Sequence, residues 1–490
     1  ADGSSKFAPS NRWGYFPAAA LGWRMSEEAF LNDVDWLDNL KLRVSYGEVG
    51  NDGINSSLWS QNWEATSDKR YQGAVNGAFL PSYSLGADMA NKDLKWETTI
   101  TRNIGVDFGF FNSRLTGTID AYWNTTKDLL MKTAIPGITG FTSTYANVGQ
   151  TSNKGIEIAL QGVLVKTRDW NVTAGFNINF NRGKVDKLAD NVTGLYGTEW
   201  ATSSTFPKSD YVLKEGRPVG LVRGLTADGF YTTDDFTYEN GVYTLKEGVA
   251  DVSSAVFPNY HLHNGMNERP AGQLAYPGMA KFKDLNDDGI INDDDVDVIG
   301  DMTPVHTGGF NINATYKNFD LGLYFNWSYG NEIYNVNKLA ALYGYKEGAV
   351  YENKLSIVKD CYKIYDVVNG ELVALTTPEQ LNAANANAKL PLAYSENGYV
   401  STLGIEDGSY LRLNTLTLGY TLPKSMLQKA GISNLRVYGS IYNVFTITGY
   451  SGIDAEVSTS TSTKTYPQLG MDWGTYPRAR SFVLGVNLSF

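Results

Sequence analysis

From Phe482 to the last residue the chain alternates without a break. Phe482, Leu484, Val486, Leu488 and Phe490 fall on one face, and Val483, Gly485, Asn487 and Ser489 on the other. A period of two predicts a β-strand. The same rhythm recurs through the chain. Asn11 to Arg24 sets Trp13, Tyr15, Pro17, Ala19, Leu21 and Trp23 on one face, and Leu40, Leu42, Val44 and Tyr46 make the return. Between these two, Ser26-Glu27-Glu28 reads as a helix N-cap with an acidic first turn, leading to a compact turn at Trp36 and Leu37. Ile104 to Phe110 meets a tight turn at Asn112-Ser113 before Leu115 to Trp123. Ile156 to Leu164 turns at 167–169 into Trp170 to Phe180, and Phe310 to Tyr316 turns at Lys317-Asn318 into Phe319 to Tyr329. Leu416 to Leu422 passes a short helical turn at Pro423–Gly431 and returns as Leu435 to Ile441. The opposite faces carry polar side chains, as at Thr116, Thr118, Asp120 and Asn124.

The connections alternate as regularly as the strands. Tight turns lie at one end, and long excursions at the other: about 51–93, 129–152, 184–302, 330–407 and 449–477. That asymmetry, with an apolar stripe on every strand, predicts an all-β, antiparallel transmembrane barrel of the bacterial outer membrane. An uncovered apolar strand such as 482–490 is a hazard in water but an ordinary wall strand in lipid. Its alternation and aromatic end resemble the terminal assembly signal of outer-membrane barrels, with Phe482, Leu488 and Phe490 as the residues concerned. About eleven strands are predicted, and an odd number does not suit the even count usual in bacterial barrels. The expectation is therefore the carboxy-terminal part of a longer barrel.

Composition narrows the class further. The chain has 490 residues with 50 glycines, 31 tyrosines, 21 phenylalanines, 11 tryptophans and one cysteine, Cys361. Aromatic runs between Asn/Asp/Gly/Ser/Thr-rich loops are an all-β pattern. No run of about 18 apolar residues is present, which excludes a membrane helix but not a barrel strand. A net charge of −11 argues against nucleic acid, whose binding rests on phosphate neutralisation. One cysteine excludes an internal disulfide. No signal-peptide pattern opens the chain, as expected of a mature product or an internal piece.

Particular wording points to a family. Asn11-Arg12-Trp13-Gly14-Tyr15-Phe16-Pro17 with Leu21-Gly22-Trp23-Arg24 resembles a mid-barrel stretch of SusC/RagA-type TonB-dependent transporters. So do Trp36-Leu37, Leu40 to Gly47, Gly50-Asn51, Asn153 to Glu157, Asn443 to Thr446 and Tyr476-Pro477-Arg478. The resemblance runs nearly end to end, in order. It implies a barrel of about 22 strands, with the amino-terminal half, plug and TonB-contacting segment lying outside this chain. It further implies a SusD-like lipoprotein lid over the extracellular mouth, TonB-driven import of glycans or peptides, and higher-order dimers of transporter–lipoprotein pairs.

The sharpest chemical motif is the stretch from Asp284 to Asp295, which fits the D-x-[DN]-x-[DN]-G calcium-loop frame. Asp284, Asn286 and Asp288 offer side-chain oxygens at alternate positions, Ile290 a carbonyl, Asn292 a water-mediated contact, and Asp295 the closing carboxylate. Gly289 takes the sharp turn. Hard oxygen donors select calcium, or magnesium, over zinc and copper. Placed in the longest loop, the motif reads as a structural clip. His261 and His263 stand two apart but lack a third ligand, so a plain loop is the better reading. The adjacent Asp234-Asp235 reads as a solvated turn rather than a glycosidase pair. Neither a G-x-S-x-G nor a G-x-G-x-x-G motif occurs, and no enzyme activity is expected. Trp59, Trp63, Tyr71, Trp200, Tyr231, Tyr343 and Tyr345 are the loop aromatics placed to stack on a substrate or to pack the loops. Arg12 and Arg43 are expected at strand ends or facing the interior.

The leading expectation is an energised outer-membrane importer of nutrient oligomers. A passive porin or adhesin is the alternative, and a soluble carbohydrate-active protein with a dockerin-like loop the third. Required detergent would separate the last from the other two.

Overall fold

The eleven predicted strands are the strands of one antiparallel sheet. In the computed structural model, which describes all residues except 67–72, 81, 191, 258–268, 343–353, 394–397, 428–430 and 460–467, they run in chain order across it. They are β1 (Ala18–Arg24), β2 (Leu37–Asn51), β3 (Glu97–Phe110), β4 (Leu115–Lys127), β5 (Gln150–Lys166), β6 (Trp170–Lys187), β7 (His306–Tyr316), β8 (Phe319–Tyr329), β9 (Tyr410–Thr421), β10 (Asn434–Thr448) and β11 (Ser481–Ser489). Among the described residues β1 and β11 each have one neighbour in this sheet, so it remains open at both edges. No described helix is long and apolar enough to cross a membrane.

Register joins the apolar positions of the separate strands into continuous rows. Leu21 pairs with Val44, Val44 with Ile104, Ile104 with Ala121, Ala121 with Ile156, and Ile156 with Phe180. Farther along, Phe176 pairs with Phe310, Phe310 with Phe325, and Phe325 with Leu413. A slip of one residue in any pair would turn that strand's apolar set inward, so the shared outer face fixes the register. Aromatics border the band at both ends. Trp170 lies 4.4 Å from Tyr316 and Phe319 4.7 Å from Tyr420 beside the tight turns, while Phe180, His306, Trp327 and Tyr329 cluster beside the long loops. The ten residue steps from Trp170 to Phe180 span about 33 Å along a strand, which a tilt of about 40° reduces to the ~25 Å height of a lipid-facing band.

Two local expectations need correction. The strand expected from Asn11 to Arg24 is broken: Trp13–Gly14 pairs with Asp2–Gly3, and the barrel strand begins at Ala18. Pro17 interrupts the run, since it has no N–H to give to a ladder. The expected helix at Ser26 is a single 3₁₀ turn, Met25–Glu27, without a side-chain cap.

The tight turns use left-handed backbone at Phe111, Asn112 and Ser113 and at Lys317. The long connections are folded structures. Phe206, Tyr231, Tyr243, Tyr276, Phe282 and Ile291 from 184–302 share one buried core with Tyr362, Ile364, Leu375, Leu381 and Tyr399 from 330–407. A second core brings Tyr211, Val222 and Met302 against Tyr334, Leu339, Val400 and Met471, and so draws in the last loop.

Candidate functional site

The inner face of the wall is polar, and several of its charges pair with one another. Arg43 on β2 donates through Nε to Asp107 on β3 at 2.9 and 3.0 Å, and through its terminal nitrogens to both oxygens of Asp120 on β4 at 3.0 Å. Gly105 lies between these partners; a Cβ there would occupy the place of the Arg43–Asp120 pair. Arg436 on β10 binds Asp320 on β8 in the same way, with Nε at 2.8 Å. Arg43 thus faces the interior, where it ties three strands together.

Above the wall the loops are stitched by short ladders and buried charge. Glu332–Asn335 pairs antiparallel with Ile405–Asp407 and parallel with Met471–Asp472. Glu406 accepts from the Ser451 N–H and hydroxyl, both at 2.9 Å, and pairs with Lys338 at 3.1 Å. Burial pushes the Glu406 carboxyl up, but the Ser451 hydrogen bonds and Lys338 outweigh it and hold the group below the ordinary carboxylate range. Tyr450 donates to the buried Asp472 at 2.7 Å. Arg412, at the loop end of β9, pairs with Asp454 and with Glu456 at 3.2 Å; Arg478 holds Glu456 at 2.9 Å.

The loop aromatics divide by environment. Tyr231 is 0 % exposed and its hydroxyl donates to the Ala250 carbonyl at 2.6 Å, so it is a core residue and not a surface contact. Trp200 is half-buried against Tyr334, and Trp59 is half-buried as well. Tyr71, Tyr343 and Tyr345, like His261 and His263, lie outside the described residues. Trp63 is 66 % exposed on the hairpin Trp63–Thr66/Ser82–Leu85. Its register places Leu85 opposite and Tyr83 two residues along on the same face, with Tyr83 62 % exposed. Tyr83 was missed from sequence, although the period-two run Ser82-Tyr83-Ser84-Leu85 carries the signal.

The Asp284–Asp295 loop adopts a closed, oxygen-rich turn. Asp284 accepts from the N–H groups of Gly289 at 2.7 Å and Asp288 at 3.3 Å, and Asp288 accepts from Ile290 N–H at 2.9 Å. Asn286 reaches Asp288, and Asn292 caps Asp294 at 2.7 Å. Gly289 has φ 85°, the left-handed conformation the motif requires at its turn. Asp295 is fully buried, and its two oxygens accept from Leu285 and Asn292 N–H at 2.7 and 2.8 Å. Its carboxylate closes the loop on itself, which spacing did not reveal. Among the described residues no three His, Cys, Asp or Glu side chains converge as a metal-holding group. A hard cation here would need Asn286, Asn292 and the Ile290 carbonyl beside the carboxylates, and all of these are present.

The remaining candidates are structural. Asp235 caps its own turn at Thr232 and pairs with Lys281 at 2.7 Å, separating its role from that of Asp234. His306 accepts from Trp327 Nε1–H at 3.0 Å and stacks on Tyr329.

Residues 1–266 match the family described as TonB dependent receptor-like, beta-barrel. The chain belongs to that family. As a TonB-dependent receptor-like barrel it is an outer-membrane protein. It is 31 % identical over 498 residues to TonB-dependent receptor P3 of Formosa agariphila, covering all of this chain and 43 % of that protein. It is 30 % identical over 498 residues to TonB-dependent receptor SusC of Bacteroides thetaiotaomicron, covering 41 % of it. A solved structure of the RagAB peptide transporter shares the fold, with a TM-score of 0.71 at 24 % identity over all of this chain and 45 % of that one. The chain spans less than half the length of the relatives it matches.

Proposed function

We propose that the chain supplies wall strands and external recognition loops to a TonB-dependent importer of nutrient oligomers, glycan or peptide, working with a SusD-like surface lipoprotein. The observation that carries this is the pairing of one continuous apolar outer face with a polar inner face, topped at one end by loops packed as a unit. Unpaired strand edges in hydrocarbon are costly, so the open edges at β1 and β11 pair with further strands of a larger barrel, about 22 in all. In this reading Phe482, Leu488 and Phe490 are the residues read during membrane assembly. The face formed by Trp63, Tyr83 and Leu85 is the surface on which cargo stacks or the lipoprotein closes.

The test is uptake of labelled oligosaccharide and peptide pools by cells carrying or lacking the protein, with and without a protonophore. Uptake that needs both the protein and the inner-membrane gradient supports the importer. Uptake through the protein that ignores the gradient identifies a passive pore and overturns it.

We also propose that Asp284, Asn286, Asp288, the Ile290 carbonyl, Asn292 and Asp295 hold calcium, which clips the 184–302 loop. Terbium luminescence sensitised by neighbouring aromatic residues, lost on Asp284→Ala with Asp288→Ala, is the expected result. Equal protease sensitivity of that loop with calcium and with chelator would remove the clip.

A further inference from the structure

A row of three residues crosses the outer face of the wall just below the long loops. Trp123 on β4 pairs with Lys154 on β5, and Lys154 pairs with Arg182 on β6. All three point to the same side as Ala121, Ile156 and Phe180, which form the next row of the lipid-facing band. Two adjoining cavities share Trp123, Lys154 and Arg182. One, of about 610 Å³, opens upward under the loop residues Thr303 and Val305; the other, of about 470 Å³, runs down over Ile156 and Phe180.

The charges in this row are unbalanced. Lys154 and Arg182 are both exposed and sit directly opposite each other, an arrangement that is repulsive unless an anion lies between them. Neither has a carboxylate partner among the described residues. Arg182 is instead oriented by the Pro304 carbonyl at 2.7 Å and that of Asn181 at 3.0 Å. Lys184 pairs with Asp186 at 3.0 Å; Asp301, the carboxylate that lines the upper cavity, accepts from Thr303 N–H and forms no ion pair with Lys154 or Arg182. Glu157 belongs to the opposite face.

We infer that this groove holds one phosphorylated lipid of the outer leaflet. Its phosphate lies between Lys154 and Arg182, and its acyl chain lies against Trp123, Ile156 and Phe180. Two converging cations supply charge-assisted hydrogen bonds to a phosphate. An indole at that level fits the membrane interface. The groove is continuous with the lipid-facing band, so lipid is the phase that bathes it. This reading rests on the outer-membrane placement and does not depend on what the loops import.

The test uses the protein extracted from its own outer membrane in detergent. Mixed micelles carry phosphatidic acid or the matching diacylglycerol, and retained lipid is counted by native mass spectrometry. Phosphatidic acid should be retained at least about tenfold better. Lys154→Gln with Arg182→Gln should lower that retention roughly thirtyfold, as expected when two basic groups at a membrane surface lose their charge. The charge-conserving exchange Lys154→Arg with Arg182→Lys should stay within about threefold of the parent. Unchanged heat-modifiable mobility on gels reports that each variant keeps its barrel. Equal retention of the two lipids, or full retention by the Gln pair, would overturn the site. So would displacement of phosphatidic acid by an equal concentration of inorganic phosphate, since the occupant would then be a free anion.

Discussion

Arg412 on the barrel wall and Asp454 in the last long loop form a buried ion pair, with side-chain exposures of 2 % and 7 %. Arg412 Nε also donates to Thr446 on β10 at 3.0 Å, so the guanidinium is fixed by two strands before it meets the loop. Losing the guanidinium leaves the buried Asp454 with only the longer Arg478 contact at 3.6 Å and the Glu456 N–H at 2.9 Å. The cost approaches but does not reach the roughly 3–5 kcal/mol of a fully orphaned buried charge. Arg412→Ala should therefore free the 449–477 connection without dissolving the sheet. Limited proteolysis should show new cuts in that connection, with heat-modifiable mobility kept. An unchanged cleavage pattern would show that the hydrophobic contacts of Tyr450 and Ala455 hold the loop without the charge.

Acid should loosen the same region by a different route. The Glu406 carboxyl is held below the ordinary carboxylate range in the fold, so its contribution is fully present above the unfolded value of about 4.3. It is lost as pH falls through the lower folded value. Protection from hydrogen exchange at the Ser451 amide, which donates to Glu406, should fall as the pH drops through that lowered folded value. Glu406→Gln should exchange faster at neutral pH and lose this acid step. An acid step of the same size in the variant would assign it to another group.

Cys361 should be chemically quiet. Burial, with Asp360 beside it, pushes the thiol up to about 11, and the residue is buried in the loop assembly. At pH 8 a thiol-reactive probe should label it slowly in the folded protein and within the mixing time after denaturation. Only the thiolate reacts at an appreciable rate. Rapid labelling of the folded protein would mean that the loop assembly opens often.

Tyr231 and Trp63 should part company on mutation. Tyr231→Ala removes a fully buried ring and should destabilise the loop assembly by about 3–5 kcal/mol. Tyr231→Phe deletes only the hydrogen bond to Ala250 and should cost about 1–3 kcal/mol. Trp63→Ala should leave stability within about 0.5 kcal/mol while weakening whatever settles on the hairpin face. Loss of stability on Trp63→Ala would place that ring in the packing instead.

The wall was legible because its physics is local. Lipid outside and a polar interior impose a period of two, which survives in every strand from Leu21 to Leu488 and gave the strand number and the turns at Asn112-Ser113 and Lys317-Asn318. The loop assembly was not legible, because its contacts have no period. Tyr243 donates to the carbonyl of Thr376, 133 residues away, and nothing near either residue announces the other. The same blindness made Tyr231 and Trp63 look alike, though one is sealed and the other open. Spacing picked out the oxygen-bearing side chains of Asp284–Asp295 but not the engagement of Asp295, which depends on two backbone N–H groups that appear only once the turn is built.

The common core of the 184–302 and 330–407 connections makes them a single heritable and mechanical part. Neither can be transplanted into a relative by itself, because the exchange would leave Tyr243, Tyr276 and Phe282, or Tyr362 and Tyr399, facing water. If the chain imports as proposed, a change of cargo preference requires that both segments be replaced together or altered only at their outer surfaces. Under that same proposal, any movement of one segment must carry the other with it, since they share one core.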